Sequence, residues 1–396
     1  MMKTQVHNKR KGVILNIINL TIKLILLPGN LISKKPDFKN LGIKKILLIR
    51  LDHIGDVVMT SPAFQIVREK FPEAEIFLLS DQVAKQLYEK DPILNHVIPF
   101  NWPWVHQKKN NRFTFKIIQE IYHLILYLRK LEIDTVIDFR GDIRFIILFG
   151  VFIGAKLRVS NSRCGNSSLL HFISNYDVSK HEVERSVDVI RCFGSFNTPV
   201  KPKIFLENDE INLMNDKLER TIGKNLKNKI AIIAPYSSKE IKSWPMDSFR
   251  QVINYLISNE FIVMVVGAAE DKPNAELLIQ NIPGPVFSFA GETSIRELSA
   301  LVSISHLVIG VDTGVLHIAS CFKVKIIAIF GSTRSTEFRP YSDMATVVET
   351  NTCKCNQFLH NKCDYSVRGY AGCISEVTHE MIINSIVNTR YKSESV

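Results

Sequence analysis

"LIRLDHIGDVVMTSPA" (residues 48–63) sets Arg50, Asp52, His53, Gly55 and Asp56 directly behind the apolar pair Leu48 and Ile49. The apolar run reads as the end of a buried strand, and Ser61, Pro62 and Ala63 suit the start of a helix. The stretch is therefore a strand-to-helix turn with charge crowded into its tightest part. Gly55 permits a tight backbone there and leaves Asp56 at the lip of a ligand site just before the helix. In open parallel sheets ligands collect at the carboxyl ends of strands, which is where this turn lies. Asp52 or Asp56 either caps the helix or works in company with other groups.

Outward from this turn the chain alternates β-branched runs with helical stretches. "KKILLIR" (44–50), "AEIFLLS" (74–80), "HVIPF" (96–100) and "DTVIDF" (134–139) read as strands, with a helical segment over 113–130. The second half repeats the plan with "KIAIIAP" (229–235), "FIVMVVG" (261–267), "PVFSFAG" (285–291), "HLVIGV" (306–311) and "VKIIAIF" (324–330), and with helices near 247–259, 271–281, 294–303 and 315–322. Near-continuous apolar strands between helices imply parallel sheets covered on both faces. The reading is an α/β chain of two facing, doubly wound, Rossmann-like domains, 41–206 and 229–385, joined by a polar linker at 207–228 and ending in a tail at 386–396.

The net charge of +11 sits almost wholly in residues 1–50, where eleven Lys or Arg oppose Asp37 alone. A nucleic-acid protein would instead carry its basic groove on the folded body. Within the basic extension 1–40, "GVILNIINLTIKLILL" (12–27) keeps Asn16, Asn19 and Lys23 on one narrow helical stripe. The stretch is shorter than the roughly 20 apolar residues a membrane span requires. It fits an amphipathic helix lying on an anionic inner leaflet; docking on the protein body or a signal peptide are the other readings. Seven cysteines, an odd number, do not make the framework of a secreted domain and point to a reduced cytoplasm.

Two further turns carry candidate chemistry. In "APYSSKEIKSWPMDSF" (234–249) Lys242 precedes Trp244 and Pro245, with Pro245 at the first position of a helix. Lys242 can meet a phosphate as a point charge or remain a solvated loop lysine. In "VIGVDTGVLHIAS" (308–320) a strand runs into Asp312, Thr313 and Gly314, and His317 follows one turn into a helix. Free backbone N–H groups at that helix start suit an anion, and Gly314 lets it approach; alternatively Asp312 or Thr313 caps the helix and His317 belongs to the core. Neither G-x-G-x-x-G nor G-x-x-x-x-G-K-[ST] occurs, which removes the sequence support for a dinucleotide oxidoreductase or a P-loop NTPase.

Taken together the turns resemble glycosyltransferase family 9, the bacterial heptosyltransferases. "ILLIRLDHIGDVVMTSPA" is similar to the family's N-terminal signature, "IKSWP" to its K-x-W-P turn, and "VDTGVLHIA" with "AIFGSTRSTEFRPYS" to its D-T-G-x-x-H-x-A and G-x-T segments. "IDFRGDIRFIILFGVFIGAKLRV" (137–159) follows the family as well, so the resemblance runs from residue 44 to about 385. In place of a C-x-x-C tail the chain has "CKCNQFLHNKCDYSVRGYAGC" (353–373), in which Cys353, Cys355, Cys363, Cys373 and His360 either hold a structural zinc ion or are loop and buried thiols.

The resemblance implies a GT-B architecture and inverting transfer of a heptose from ADP-heptose, or of a related sugar, to a lipopolysaccharide core acceptor, with no cofactor and no required metal. Asp56 is then the general base. Lys242, Thr313 and Gly314 hold the leaving diphosphate, Asp312 and His317 complete the donor site, Glu270 of "VVGAAED" binds the ribose, and Arg50 and His53 line the acceptor side. No D-x-D triplet is present to hold a metal ion. The expected partners are a nucleotide sugar, a lipid-linked glycan and the inner membrane surface, without nucleic acid, for a peripheral enzyme on the cytoplasmic side. Transfer of another nucleotide sugar to a different surface glycan, epimerisation of a nucleotide sugar on the same fold, and non-catalytic sugar-nucleotide binding are the alternatives.

Overall fold

The computed structural model describes residues 42–103, 115–164, 169–223, 229–350, 363, 365–367 and 370–391. The extension 1–40, together with Cys353, Cys355 and His360, lies outside the described residues; of the remaining cysteines of that cluster, Cys363 is half-buried and Cys373 buried. The chain divides into two compact units, with the boundary between Val200 and Lys201.

In the first unit the chain runs through β1 (Lys45–Ile49), α1 (Ile54–Lys70), β2 (Glu75–Ser80), α2 (Gln82–Tyr88), β3 (His96–Pro99), α3 (Phe115–Lys130), β4 (Thr135–Asp138), β5 (Leu157–Asn161), β6 (Phe172–Ser174) and α4 (Glu182–Ile190). The six strands form one parallel sheet in the order β3-β2-β1-β4-β5-β6, with Leu48 of β1 opposite Leu78 on one side and Ile137 on the other. Ile46 to Ile49 are fully buried because helices cover both faces of the central strand. Strand order reverses between β1 and β4, and that switch point is where such sheets accept ligands.

The second unit holds α5 (Asn208–Ile222), β7 (Lys229–Ala234), α6 (Met246–Ser258), β8 (Phe261–Val265), α7 (Lys272–Ile279), β9 (Val286–Ser288), α8 (Ile295–Ser303), β10 (Leu307–Val311), α9 (Gly314–Ala319), β11 (Lys325–Ile329), β12 (Ala345–Val348) and α10 (His379–Tyr391). Its parallel order, β12-β11-β10-β7-β8-β9, reverses between β7 and β10. Gly310 lets those two strands close up at the switch point, since a Cβ there would lie 2.6 Å from the Ala234 carbonyl oxygen.

Local readings differ from the structure in four places. Ser61, Pro62 and Ala63 do not open a helix; α1 begins at Ile54, and residues 57–64 are all buried, so packing outweighs the proline's lost N–H. Gly55 and Asp56 lie inside the first turn of α1 and not in a turn before it. Pro245 precedes α6 at its cap position. Most of the segment read as a linker is α5, whose Met214 and Leu218 are buried and whose Glu210 pairs with Arg296 of α8.

Asp138, at the end of β4 and fully buried, ties down the turn beside β1. Its carboxylate accepts the backbone N–H groups of Arg140 at 3.0 Å and Asp142 at 2.9 Å and the Ser160 hydroxyl at 3.0 Å. Burial, with the nearby Asp142 charge, pushes its pKa up to about 7. Asp138→Ala leaves two N–H groups without acceptors and should cost on the order of 2–4 kcal/mol of stability, read from the urea midpoint at unchanged slope.

Candidate active site

At the switch point of the first unit the Arg50 side chain, 2% exposed, leaves β1 and turns into a nest of carboxylates. Its Nη2 donates to Glu182 Oε1 at 2.7 Å and to Asp56 Oδ1 at 3.4 Å, its Nη1 donates to the Phe139 carbonyl at 3.0 Å, and its Nε lies 3.1 Å from Asp52 Oδ2. Glu182 also takes a forked pair of bonds from Arg185, at 2.9 and 2.7 Å, and Asp52 pairs with Arg140. Three guanidiniums thus meet three carboxylates, which is the condition for keeping such charge out of water.

The three carboxyls do not share Arg50 equally. Burial works against the Glu182 carboxylate, but Arg50 and Arg185 outweigh it and bring its pKa down to about 2. Burial also raises Asp56, the Asp52 charge adds to it, and Arg50 opposes too weakly, so the Asp56 carboxyl is pushed up to about 6. Asp56 is a quarter exposed and sits in the first turn of α1, where the Asp56 N–H donates to the His53 carbonyl at 2.9 Å. The helix-cap reading does not hold for either aspartate: His53 occupies the cap position, exposed, and its side chain makes no capping bond. Arg50 is enclosed by carboxylates and acts on Asp56, so it does not present itself to an acceptor in the way the sequence suggested.

In the second unit Lys242 and Asp312 are brought together from the ends of β7 and β10. Lys242 Nζ lies 2.5 Å from Asp312 Oδ2, which also accepts the Thr333 hydroxyl at 2.7 Å; Ser237 donates to the Asp312 carbonyl at 3.3 Å. His317, 5% exposed, places Nε2 4.0 Å from Asp312 Oδ1. Burial lowers the His317 pKa to about 4 against the pull of Asp312, so the imidazole is neutral at pH 7. Thr313 holds the cap position of α9 without a side-chain bond, and Gly314 opens that helix. Asp312 is 7% exposed and already holds Lys242 and Thr333, which leaves little of its carboxylate open to sugar hydroxyls. Glu270 is exposed on the turn after β8. Glu240, Ser243 and Trp244, neighbours of Lys242 in sequence, line a cavity of about 340 Å³ together with Tyr236, Asn274 and Tyr370, among others; Lys242 itself does not line it.

Sequence reading missed Glu182, Arg185, Arg140 and Thr333 as members of these clusters. Glu182 lies 132 residues from Arg50 and carries no local mark. "IDFRGD" and "GSTRS" did offer one, since both follow strands that border the switch points.

Two six-stranded parallel units of this order, one after the other in a single chain, make up a GT-B architecture. The chain belongs to glycosyltransferase family 9 (heptosyltransferase), whose model matches residues 121–367. It is similar to lipopolysaccharide heptosyltransferase 3 of Escherichia coli K12, at 24% identity over 73% of this chain and 83% of that protein. Lipooligosaccharide heptosyltransferase 2 of Campylobacter jejuni is 23% identical over 84% of this chain and 95% of that protein. Among solved structures, the E. coli ADP-heptose lps heptosyltransferase II superposes with a TM-score of 0.70 at 18% identity, covering 89% of this chain and all of that one.

Arg50→Gln would leave Asp52, Asp56 and Glu182 with too little positive charge. A loss of about 3–5 kcal/mol is expected in chemical unfolding.

Proposed function

We propose that this protein transfers a heptose from ADP-heptose to an acceptor sugar of the lipopolysaccharide core, with inversion at the anomeric carbon. Membership of the heptosyltransferase family supports the reaction class, and the names of the relatives support donor and acceptor. The observation that carries the reading is the Asp56 carboxyl, raised to about 6 and a quarter exposed at the carboxyl end of a parallel sheet. A base with such a pKa is ionised at pH 7 and still holds a proton well enough to take one from an attacking hydroxyl.

In this mechanism the acceptor hydroxyl gives its proton to Asp56 as its oxygen bonds to the anomeric carbon. The bond from that carbon to the diphosphate breaks, and its electron pair leaves with ADP. Lys242 neutralises the charge gained by the departing phosphate, with the backbone N–H groups at Thr313 and Gly314 as a smaller contribution, since α9 has only six residues. This charge compensation falls to the protein and not to a metal ion. Asp312, with neutral His317 behind it, keeps Lys242 aimed. Glu270, exposed on the turn after β8, takes the ribose. His53 lines the acceptor side, and the basic extension 1–40 holds the enzyme at the inner leaflet, where a lipid-linked acceptor resides.

The decisive assay combines the protein with ADP-heptose and a heptose-free lipid acceptor. ADP release that requires acceptor sustains the proposal; conversion of the donor sugar without acceptor replaces it with epimerisation, and binding without turnover replaces it with a sugar-nucleotide binder.

Asp56→Asn should lower turnover by about 10² to 10⁴ while ADP affinity stays unchanged, by rapid-quench kinetics and calorimetry. Protonated Asp56 accepts no proton, so kcat/KM should fall as pH drops through about 6. Glu182→Gln removes a repelling charge from Asp56 and releases Arg50 to it; both effects lower the Asp56 pKa and should move that acid limb to lower pH. Lys242→Ala should weaken ADP binding by tenfold or more, about 1.4 kcal/mol, in the same calorimetric titration.

A further inference from the structure

The first unit carries an apolar surface that is exposed among the described residues. One side of α3 is core: Ile121 and Leu128 are buried in the cluster that holds Trp102, Phe145 and Phe149. The other side carries Phe115, Ile118, Tyr122 and Leu126, exposed by 77%, 49%, 58% and 39%. Their spacing of three, four and four residues places them on a single stripe three turns long. Phe152, 51% exposed, directly follows the π-helical turn Ile147–Val151, which packs beside α3. Exposed basic side chains border the stripe, with Lys116 near one end and Arg129 and Lys130 at the other; Glu120 within the helix and Glu132 just past its end are the exposed acids beside them, which leaves the border net positive.

A water-facing helix has no use for such a row of large apolar side chains. Nor can α3 cross a bilayer: among the described residues no helix is long and apolar enough to do so. Large apolar and aromatic residues on one face, framed by lysine and arginine, are the pattern of a helix that lies in a lipid interface. Charge decides among the possible occupants. The chain's own apolar stretch 12–27 is embedded in a strongly basic segment, so it and the border of α3 repel. A second copy of α3 would set basic residues against basic residues. An anionic surface complements all of them at once.

We propose that the outer stripe of α3, with Phe152, is a docking surface for an anionic lipid bilayer. Phe115, Ile118, Tyr122 and Leu126 enter the boundary between headgroups and acyl chains, while Lys116, Arg129 and Lys130 meet lipid phosphates. The surface is separate from the basic extension and belongs to the folded unit that carries Asp56. This inference rests on the reading of a membrane-embedded acceptor and adds where the enzyme touches that membrane.

The test uses the full chain in four forms: unaltered, with Phe115, Ile118, Tyr122 and Leu126 all changed to Ser, with Lys9, Arg10 and Lys11 changed to Gln, and with both sets combined. Each is sedimented with vesicles of phosphatidylethanolamine and phosphatidylglycerol, and amide exchange over residues 115–130 is followed with and without vesicles. The serine variant should keep its thermal transition and its transfer to a lipid-free acceptor, yet bind vesicles at least about tenfold more weakly. Vesicles should slow exchange along α3 in the unaltered protein and in the glutamine variant. Serine-variant binding equal to that of the unaltered chain, with α3 exchange insensitive to vesicles, overturns the proposal. If in that case the glutamine variant alone loses binding, the basic tether stands without α3. If only the serine variant loses binding, α3 stands and the tether falls. A lipid-free dimer that the serine substitutions dissociate assigns the stripe to a second copy and also overturns it.

Discussion

One buried guanidinium organises the front of the first unit. Arg50, almost wholly removed from water, has three carboxyl groups within reach and cannot satisfy them alike. Its shortest bond goes to Glu182, 2.7 Å away, which Arg185 also holds; its longest, at 3.4 Å, goes to Asp56. Glu182 is thereby driven to about 2 and Asp56 left near 6. Two carboxyls on one arginine acquire different chemistry from their surroundings, one a permanent anion that anchors α4 to β1, the other a group poised near neutrality. The arrangement depends on long-range packing, since α4 must dock on α1 for Glu182 to arrive, and Thr60 of α1 lies 3.3 Å from Ser186 of α4 at that contact.

The second unit solves a different problem with the same economy. A lysine on a loop has many rotamers; Asp312, itself held by the Thr333 hydroxyl, fixes the Lys242 ammonium group at the switch point. Buried His317 stays neutral behind Asp312, so the cluster is a single ion pair with no added positive charge from the imidazole. In the proposed donor site, a phosphate would compete with Asp312 for Lys242 and meet a cation whose position is already set, which would reduce the ordering cost of binding.

Much of this was legible in the order of residues. Continuous apolar runs such as "KILLI" and "KIAIIA" are buried on both faces and read as parallel strands without ambiguity, and the charged turns behind them located both clusters. The start of α1 was harder, because Ser61 and Pro62 are local signals for a helix beginning, and only their burial against the rest of the unit overrides that preference. α5 hid for a related reason: its surface charge resembles a linker, and its few apolar contacts, Met214 and Leu218, matter only once α8 lies against it. The role of Arg50 was not legible at all. Its partners come from β4 and α4 as well as its own turn, and nothing near residue 50 announces Glu182.

The account turns on the claim that Arg50 leaves Asp56 with a proton affinity raised by burial. The most direct measurement is a carbon-detected NMR titration of the Asp56 side-chain carboxyl in the intact protein, assigned by loss of its signal in the asparagine variant. A midpoint near 6 is the result this structure predicts. A midpoint near the ordinary aspartate value of about 4 would contradict it and remove the physical basis for assigning Asp56 the proton.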